Sequence, residues 1–230
     1  NCIISSETDD LGELKKRLDA TPSMDGLELS SRVTTREPYF IGNEDAKHRI
    51  AVMDYGVKKN ILRCFDQRDC YLKVFPAKTD FSEVKAWNPH GYFISNGPGD
   101  PLHCKETIAI IRKAMKKNKP IFGICLGIQL LSLAAGAKTY KLPFGHRGHN
   151  QPCMELKGQR CYITSQNHGY AVDENSLPEE WEVTFRHLND GSVAGIAHKT
   201  LPYFAVQFHP EATPGPTDTQ WLFEKFYALL

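Results

Sequence analysis

Cysteine 125 stands in Phe122-Gly123-Ile124-Cys125-Leu126-Gly127, with a glycine two residues to either side. An apolar run before it and helical spacing after it make a strand-to-helix elbow, the thiol counterpart of the G-x-S-x-G turn. The glycines remove side chains that would clash in so tight a turn. The first amides and the dipole of the following helix would favour a thiolate and offer the Leu126 amide to an oxyanion. Taken alone, the same residues also fit a buried structural cysteine between two packing glycines. Phe208-His209-Pro210-Glu211 follows another apolar run. Residues i and i+2 of an extended segment project to one side, so Glu211 can hold the His209 ring. A cysteine, a histidine and a carboxylate are the nucleophile, base and orienter of covalent acyl transfer. A third group, Ser95-Asn96-Gly97-Pro98-Gly99-Asp100, ends an apolar run, where α/β sheets place their ligands, and its glycines let backbone amides approach a substrate. No G-x-x-x-x-G-K-[ST] occurs and the G-x-G here lacks a third glycine, so nucleotide sites of those types are not expected. His146, His149 and Cys153 do not amount to four ligands at a familiar spacing, and no metal is expected.

These residues need a scaffold, and the apolar spacing from Arg49 onward supplies one. Apolar runs at 50–53, 71–75, 92–95 and 121–124 read as buried strands. They alternate with helical spacing around Ile61, Leu62 and Phe65 and over 81–87, 107–117 and 126–135. That alternation predicts an α/β fold with an open, mostly parallel sheet flanked by helices. Beyond Tyr140, runs at 160–164, 181–186, 193–198 and 203–208 predict added antiparallel hairpins. A last helix is expected to open at Thr217, with Gln220 at capping-box spacing. Residues 1–48 have a different texture. Leu11, Leu14 and Leu18 share a helical face, whereas 21–31 and 37–48 are polar and irregular. A short helix and a connecting segment are expected there, leading into one domain over 49–230.

Composition narrows the function classes. Lys and Arg total 28 against 27 Asp and Glu, a net charge of +1, so the basic excess of a nucleic-acid binder is missing. The longest apolar stretch, 123–137, is broken by Gln129 and Ser132 and falls short of the roughly eighteen residues of a membrane span. The start has no secretory signal pattern. Seven cysteines, an odd number without a C-x-x-C pair, predict a reducing, cytoplasmic setting rather than a disulfide framework. The chain opens on Asn1 rather than Met and is expected to be a piece of something longer.

Gly123-Ile124-Cys125-Leu126-Gly127 with Gln129, Asn96-Gly97-Pro98-Gly99-Asp100 and His209-Pro210-Glu211 together resemble the class I, triad-type glutamine amidotransferases. More narrowly, Phe144-Gly145-His146-Arg147-Gly148, Ser165-Gln166-Asn167-His168-Gly169-Tyr170 and the run from His209 to Pro216 resemble the glutaminase (small) subunits of carbamoyl phosphate synthetases. Asn1-Cys2-Ile3-Ile4 resembles the tail of the N-terminal domain those subunits carry. The resemblance implies Cys125 as nucleophile, His209 as proton shuttle and Glu211 as its orienter. It implies the amides of Gly97 and Leu126 as the oxyanion hole, and Gly99, Gln129, Asn167, Gly169 and Tyr170 as holders of glutamine. It further implies a partner, the large, ATP-using synthetase subunit, with no cofactor in this chain, and ammonia delivered for carbamoyl phosphate in arginine and pyrimidine synthesis. Ile128 departs from the pattern, standing where many members carry His, but outside the triad. The rival readings are a subunit serving anthranilate or guanylate synthesis, a silent scaffold of inherited fold, and a peptidase-type cysteine hydrolase. The segment 144–148 and the residues after Glu211 count against the first, and the intact triad against the second.

Overall fold

The computed structural model describes residues 2–230. Its first elements are α1 (Leu11–Asp19), α2 (Ser30–Val33), β1 (Tyr39–Ile41), β2 (His48–Asp54), α3 (Lys59–Asp66) and β3 (Cys70–Pro76). Next come α4 (Phe81–Ala86), β4 (Gly91–Ile94), α5 (Lys105–Met115), β5 (Ile121–Ile124) and α6 (Leu126–Ala135). The chain closes with β6 (Lys138–Glu155), β7 (Arg160–Asp173), β8 (Trp181–His187), β9 (Val193–His198), β10 (Tyr203–Val206) and α7 (Trp221–Tyr227).

One ten-stranded sheet runs in the order β1-β3-β2-β4-β5-β10-β9-β8-β6-β7. From β3 to β10 every pairing is parallel, and from β10 to β7 every pairing is antiparallel. This is the open, helix-flanked α/β sheet with added hairpins that the apolar spacing predicts. The parallel strands β2, β4, β5 and β10 are almost wholly buried, as strands covered by helices on both faces must be.

Four details differ from the sequence reading. Residues 39–41, expected in the connecting segment, pair antiparallel with β3 as an edge strand. β6 and β7 are long: 18 and 14 residues, with register shifts between Lys141 and His146 and between Gly148 and Gln151. Their polar middles, at 145–151 and 165–169, hide them from a periodicity test. Thr217 does not open the last helix; α7 begins at Trp221 and its N-cap Gln220 makes no side-chain cap bond. Helix α1 forms, but none of its residues is buried. Of the Asn1-Cys2-Ile3-Ile4 run, Asn1 lies outside the described residues.

Beneath the elbow sits an aromatic cluster. Phe122 of β5 stacks on Phe204 of β10 with centroids 4.6 Å apart and meets Phe93, Phe223 and Phe226 at 5.6–5.8 Å. Edge-to-face and stacked rings at such distances add to the area they bury. Phe122→Ala is expected to destabilise the fold by about 3–5 kcal/mol, as emptying a filled aromatic site does. Phe144, 90% exposed, serves as the control, with Phe144→Ala shifting stability by no more than about 0.5 kcal/mol. Urea unfolding midpoints check both.

Candidate active site

Cys125 alone turns the chain from β5 into α6, at φ 56° and ψ −102°. Its N–H donates to the Val206 carbonyl at 2.9 Å, which ties the elbow to β10. A Cβ on Gly127 would lie 2.3 Å from the Ile94 carbonyl oxygen, and one on Gly123 would lie 2.9 Å from the Gly127 carbonyl carbon. Both glycines are therefore there for close approach, as the elbow reading requires. Gly97 is pressed in the same way against the Tyr55 carbonyl, 2.1 Å from where a Cβ would stand.

A cleft of about 780 Å³ opens over this turn. Cys125, Leu126 and His209 line its floor, with Gly97 and Gly99 to one side. Gln129 of α6 and Asn167, Gly169 and Tyr170 of β7 also border it. Every residue that the sequence reading assigned to the site thus reaches one cleft, except Glu211, which is fully buried behind His209. The Cys125 thiol faces the Asn167 carbonyl at 3.7 Å. Gln129 Nε2 donates to the Tyr170 carbonyl at 2.9 Å and to Gln207 Oε1 at 3.1 Å.

His209 Nδ1 lies 2.7 Å from Glu211 Oε1, so the carboxylate fixes Nδ1 as the protonated nitrogen. Burial by itself would lower the His209 pKa, but the charge and hydrogen bond of Cys125 and those of Glu211 outweigh it, raising the pKa to about 10. His209 is thereby held as an imidazolium beside the sulfur.

Glu211 has company that the sequence did not reveal. Lys58 Nζ lies 3.2 Å from Glu211 Oε1 and also donates to the Ala212 carbonyl, while Asn60 Nδ2 donates to the Glu211 carbonyl at 2.7 Å. Lys58 stands 153 positions before Glu211 and belongs to no local motif, so only the fold brings them together. Residues 23–29, read as part of a connecting segment, pack on the 95–100 loop. Glu28 bridges to Gly99, Asp100 N–H donates to the Leu27 carbonyl at 3.0 Å, and Asp25 takes the Tyr170 hydroxyl at 3.2 Å.

For metals, one group stands out among the described residues: His146, His187 and Asp190, with donor atoms all within 4.8 Å of one another. Those atoms already serve hydrogen bonds. His146 Nε2 meets Asp190 Oδ2 at 2.8 Å, and His187 Nδ1 accepts the Asn189 N–H at 3.2 Å. His149 is hydrogen-bonded to Ser165, and Cys153 to Thr164 and Gln166.

Residues 51–229 match the family described as Glutamine amidotransferase class-I. This chain belongs to that family. It is 51% identical over 230 residues to the carbamoyl phosphate synthase small chain of Chlorobaculum tepidum, covering 99% of this chain and 63% of the relative. It is 48% identical over 221 residues to the small chain of Methanocaldococcus jannaschii, covering 96% and 62%. With the arginine-specific small chain of Neurospora crassa it shares 51% over 201 residues, covering 87% and 44%. The chain therefore spans less than two thirds of the length of these curated relatives. Among solved structures, a Thermoplasma acidophilum protein described as one subunit of a GMP synthase is similar at a TM-score of 0.68 and 24% identity, covering 81% of this chain and 95% of that one. A glutamine amidotransferase from Thermotoga maritima follows at a TM-score of 0.58 and 17% identity, covering 79% and 84%. These two show the shared fold.

The charge of His209 gives this site a titration that can be followed. Glu211 is one of the groups raising the His209 pKa, so Glu211→Gln should bring it down from about 10 by at least about one unit, equivalent to ~1.4 kcal/mol. Histidine NMR titration of both proteins measures the shift, and an unchanged titration would remove Glu211 from the pair.

Proposed function

We propose that this chain hydrolyses the side-chain amide of glutamine through a thioester on Cys125, as the glutaminase part of a carbamoyl phosphate synthase small chain. The observation that carries the reading is a single arrangement: a cysteine at a strand-to-helix elbow, facing a cleft, beside a histidine that a buried glutamate holds charged. The relatives named as small chains support the narrower assignment.

In this reading the Cys125 thiolate attacks the carboxamide carbon of glutamine. The tetrahedral oxyanion is taken by the amides of Gly97 and Leu126, preorganised donors of the kind that stabilise charge as it develops. The His209 imidazolium gives its proton to the leaving nitrogen, ammonia departs, and a γ-glutamyl thioester remains on sulfur. His209, now neutral, takes a proton from water as the oxygen attacks the thioester carbon. Glutamate leaves, and the thiolate–imidazolium pair is restored. Gly99, Gln129, Asn167, Gly169 and Tyr170 would hold the rest of the glutamine.

The ammonia would pass to the large, ATP-using subunit of the synthetase and join activated bicarbonate on the way to carbamoyl phosphate, for arginine and pyrimidine synthesis. This chain would need no cofactor of its own, with ATP bound on the partner. Residues 49–230 would be the amidotransferase domain, and 1–48 the tail and linker of a preceding one. No helix among the described residues is long and apolar enough to cross a membrane. The seven cysteines, none of them bonded to another, support a reducing, cytoplasmic setting.

Three measurements test this. Cys125→Ser should abolish glutamate release without unfolding the chain, whereas Cys161→Ser, at an exposed site, should leave it nearly unchanged. A diazo-norleucine label found on another cysteine would overturn the nucleophile. The complete protein with its large subunit, ATP and bicarbonate should release glutamate at least about tenfold faster than without them, ~1.4 kcal/mol of barrier. Equal rates would mean an independent hydrolase.

A further inference from the structure

Glutamine brings more to the cleft than its side-chain amide. Its other end carries an ammonium group and a carboxylate, and a carboxylate leaving water needs a counter-charge. Three Lys or Arg side chains line the cleft: Lys58, Lys141 and Arg147. Two of them already have acids. Lys58 pairs with Glu211, and Lys141 pairs with Asp25, whose other oxygen takes the Tyr170 hydroxyl. The His209 imidazolium has Glu211 and the Cys125 sulfur beside it. Burial pushes the His168 pKa down to about 3, so that ring is neutral. Arg147 is left with no carboxylate partner among the described residues.

An irregularity in the β6–β7 hairpin places the Arg147 side chain. Between the pairs Lys141–Tyr170 and His146–His168, residues 142–145 of β6 stand against Gly169 alone. Gly145 turns this bulge at φ 69°, pressed so close to β7 that a Cβ would stand 2.4 Å from the His168 carbonyl oxygen. Arg147 Nη1 donates back to the Phe144 carbonyl in the bulge. The guanidinium lies over Gly169, with Nη2 3.7 Å from where a Cβ on that glycine would stand. Its other edge, Nη2 and Nε, has no protein acceptor among the described residues.

The spacing from the reacting sulfur also fits. The Cys125 thiol faces the Asn167 carbonyl at 3.7 Å, and the two residues from Asn167 to Gly169 advance about 7 Å along the strand. An extended glutamine measures about 5 Å from its amide carbon to its carboxyl carbon. An N–H···O bond adds about 3 Å. With its amide at Cys125 and its chain laid along β7, glutamine brings its carboxylate to the open edge of the Arg147 guanidinium. We infer that Arg147 binds the α-carboxylate of glutamine and makes the site selective for the free amino acid over amides that lack this negative charge. The inference rests on the glutaminase reading above and names a specificity-determining residue for that site. Arginine suits the task, because Nε and Nη2 present two parallel donors to the two carboxylate oxygens and the group stays charged at any working pH.

The test pairs one substitution in the protein with one change in the substrate. Glutaminamide keeps the side-chain amide and the ammonium group of glutamine and replaces the carboxylate by a neutral amide. The complete protein with its large subunit is given each compound, release of glutamate or of its α-amide is followed, and glutaminamide is also titrated as a competitor of glutamine. Arg147→Gln should raise KM for glutamine at least about tenfold while kcat changes by less than about twofold, the pattern of a charged contact made alike before and during the reaction. The same substitution should change the kcat/KM and the competing strength of glutaminamide by less than about twofold, because that compound never makes the contact. Equal losses on the two compounds would mean a general distortion of the hairpin and would overturn the inference, as would an Arg147→Gln protein with wild-type KM for glutamine. A wild-type protein that releases no glutamate would instead overturn the glutaminase reading, which separates the two failures.

Discussion

Cys125 occupies a backbone conformation, φ 56° and ψ −102°, that costs a residue with a side chain about 1–3 kcal/mol and persists only where the surroundings enforce it. Much of the molecule bears on that enforcement. The Cys125 N–H is tied to Val206 on one side. The first turn of α6 is pushed so close to the end of β4 that residue 127 has no room for a Cβ against the Ile94 carbonyl. Behind the turn, Phe122 is locked among Phe93, Phe204, Phe223 and Phe226. A buried strand cannot slide without moving its whole apolar set to the other face, so the strain has no easy release. What the strain achieves is a sulfur presented at the tip of a sheet, at a helix N-terminus.

The second constraint is electrostatic. Glu211 is fully buried, with Oε2 lacking a hydrogen-bond partner and Oε1 shared between His209 and Lys58. A buried carboxylate is tolerable when paired, and here the pairing holds a proton on His209 at neutral pH. Lys58 and Asn60 come from the segment that opens α3, so the chain between β2 and α3 is coupled to the loop after β10 across the cleft. A carboxylate at the rear thus keeps the histidine charged where it faces the cleft.

The legible part of this site was local. Cys125 between its glycines, and Glu211 two residues after His209, declare themselves because the chemistry needs them close in sequence. The central strands were legible too, since β2, β4 and β5 are buried runs without charge in their middles. Other features depend on distance along the chain. Lys58 meets Glu211 only because β2 and β10 both end at the cleft. Residues 39–41 were hidden because an apolar run of only three residues sits among polar neighbours and stays largely exposed, and β6 conceals its length in glycines, two prolines and two register shifts. His146 was visible as a residue of a motif, yet its neighbours His168 and Asp190 are brought beside it only by the fold.

The glutaminase reading turns on Cys125 carrying the glutamyl group. Mixing the complete protein with isotopically labelled glutamine, quenching in acid and mapping the peptides by mass tests this directly. The expected result is a hydroxylamine-sensitive label on the peptide containing Cys125, forming before free glutamate accumulates. Steady glutamate production with Cys125 unlabelled throughout, or with the label on any other residue, would contradict it.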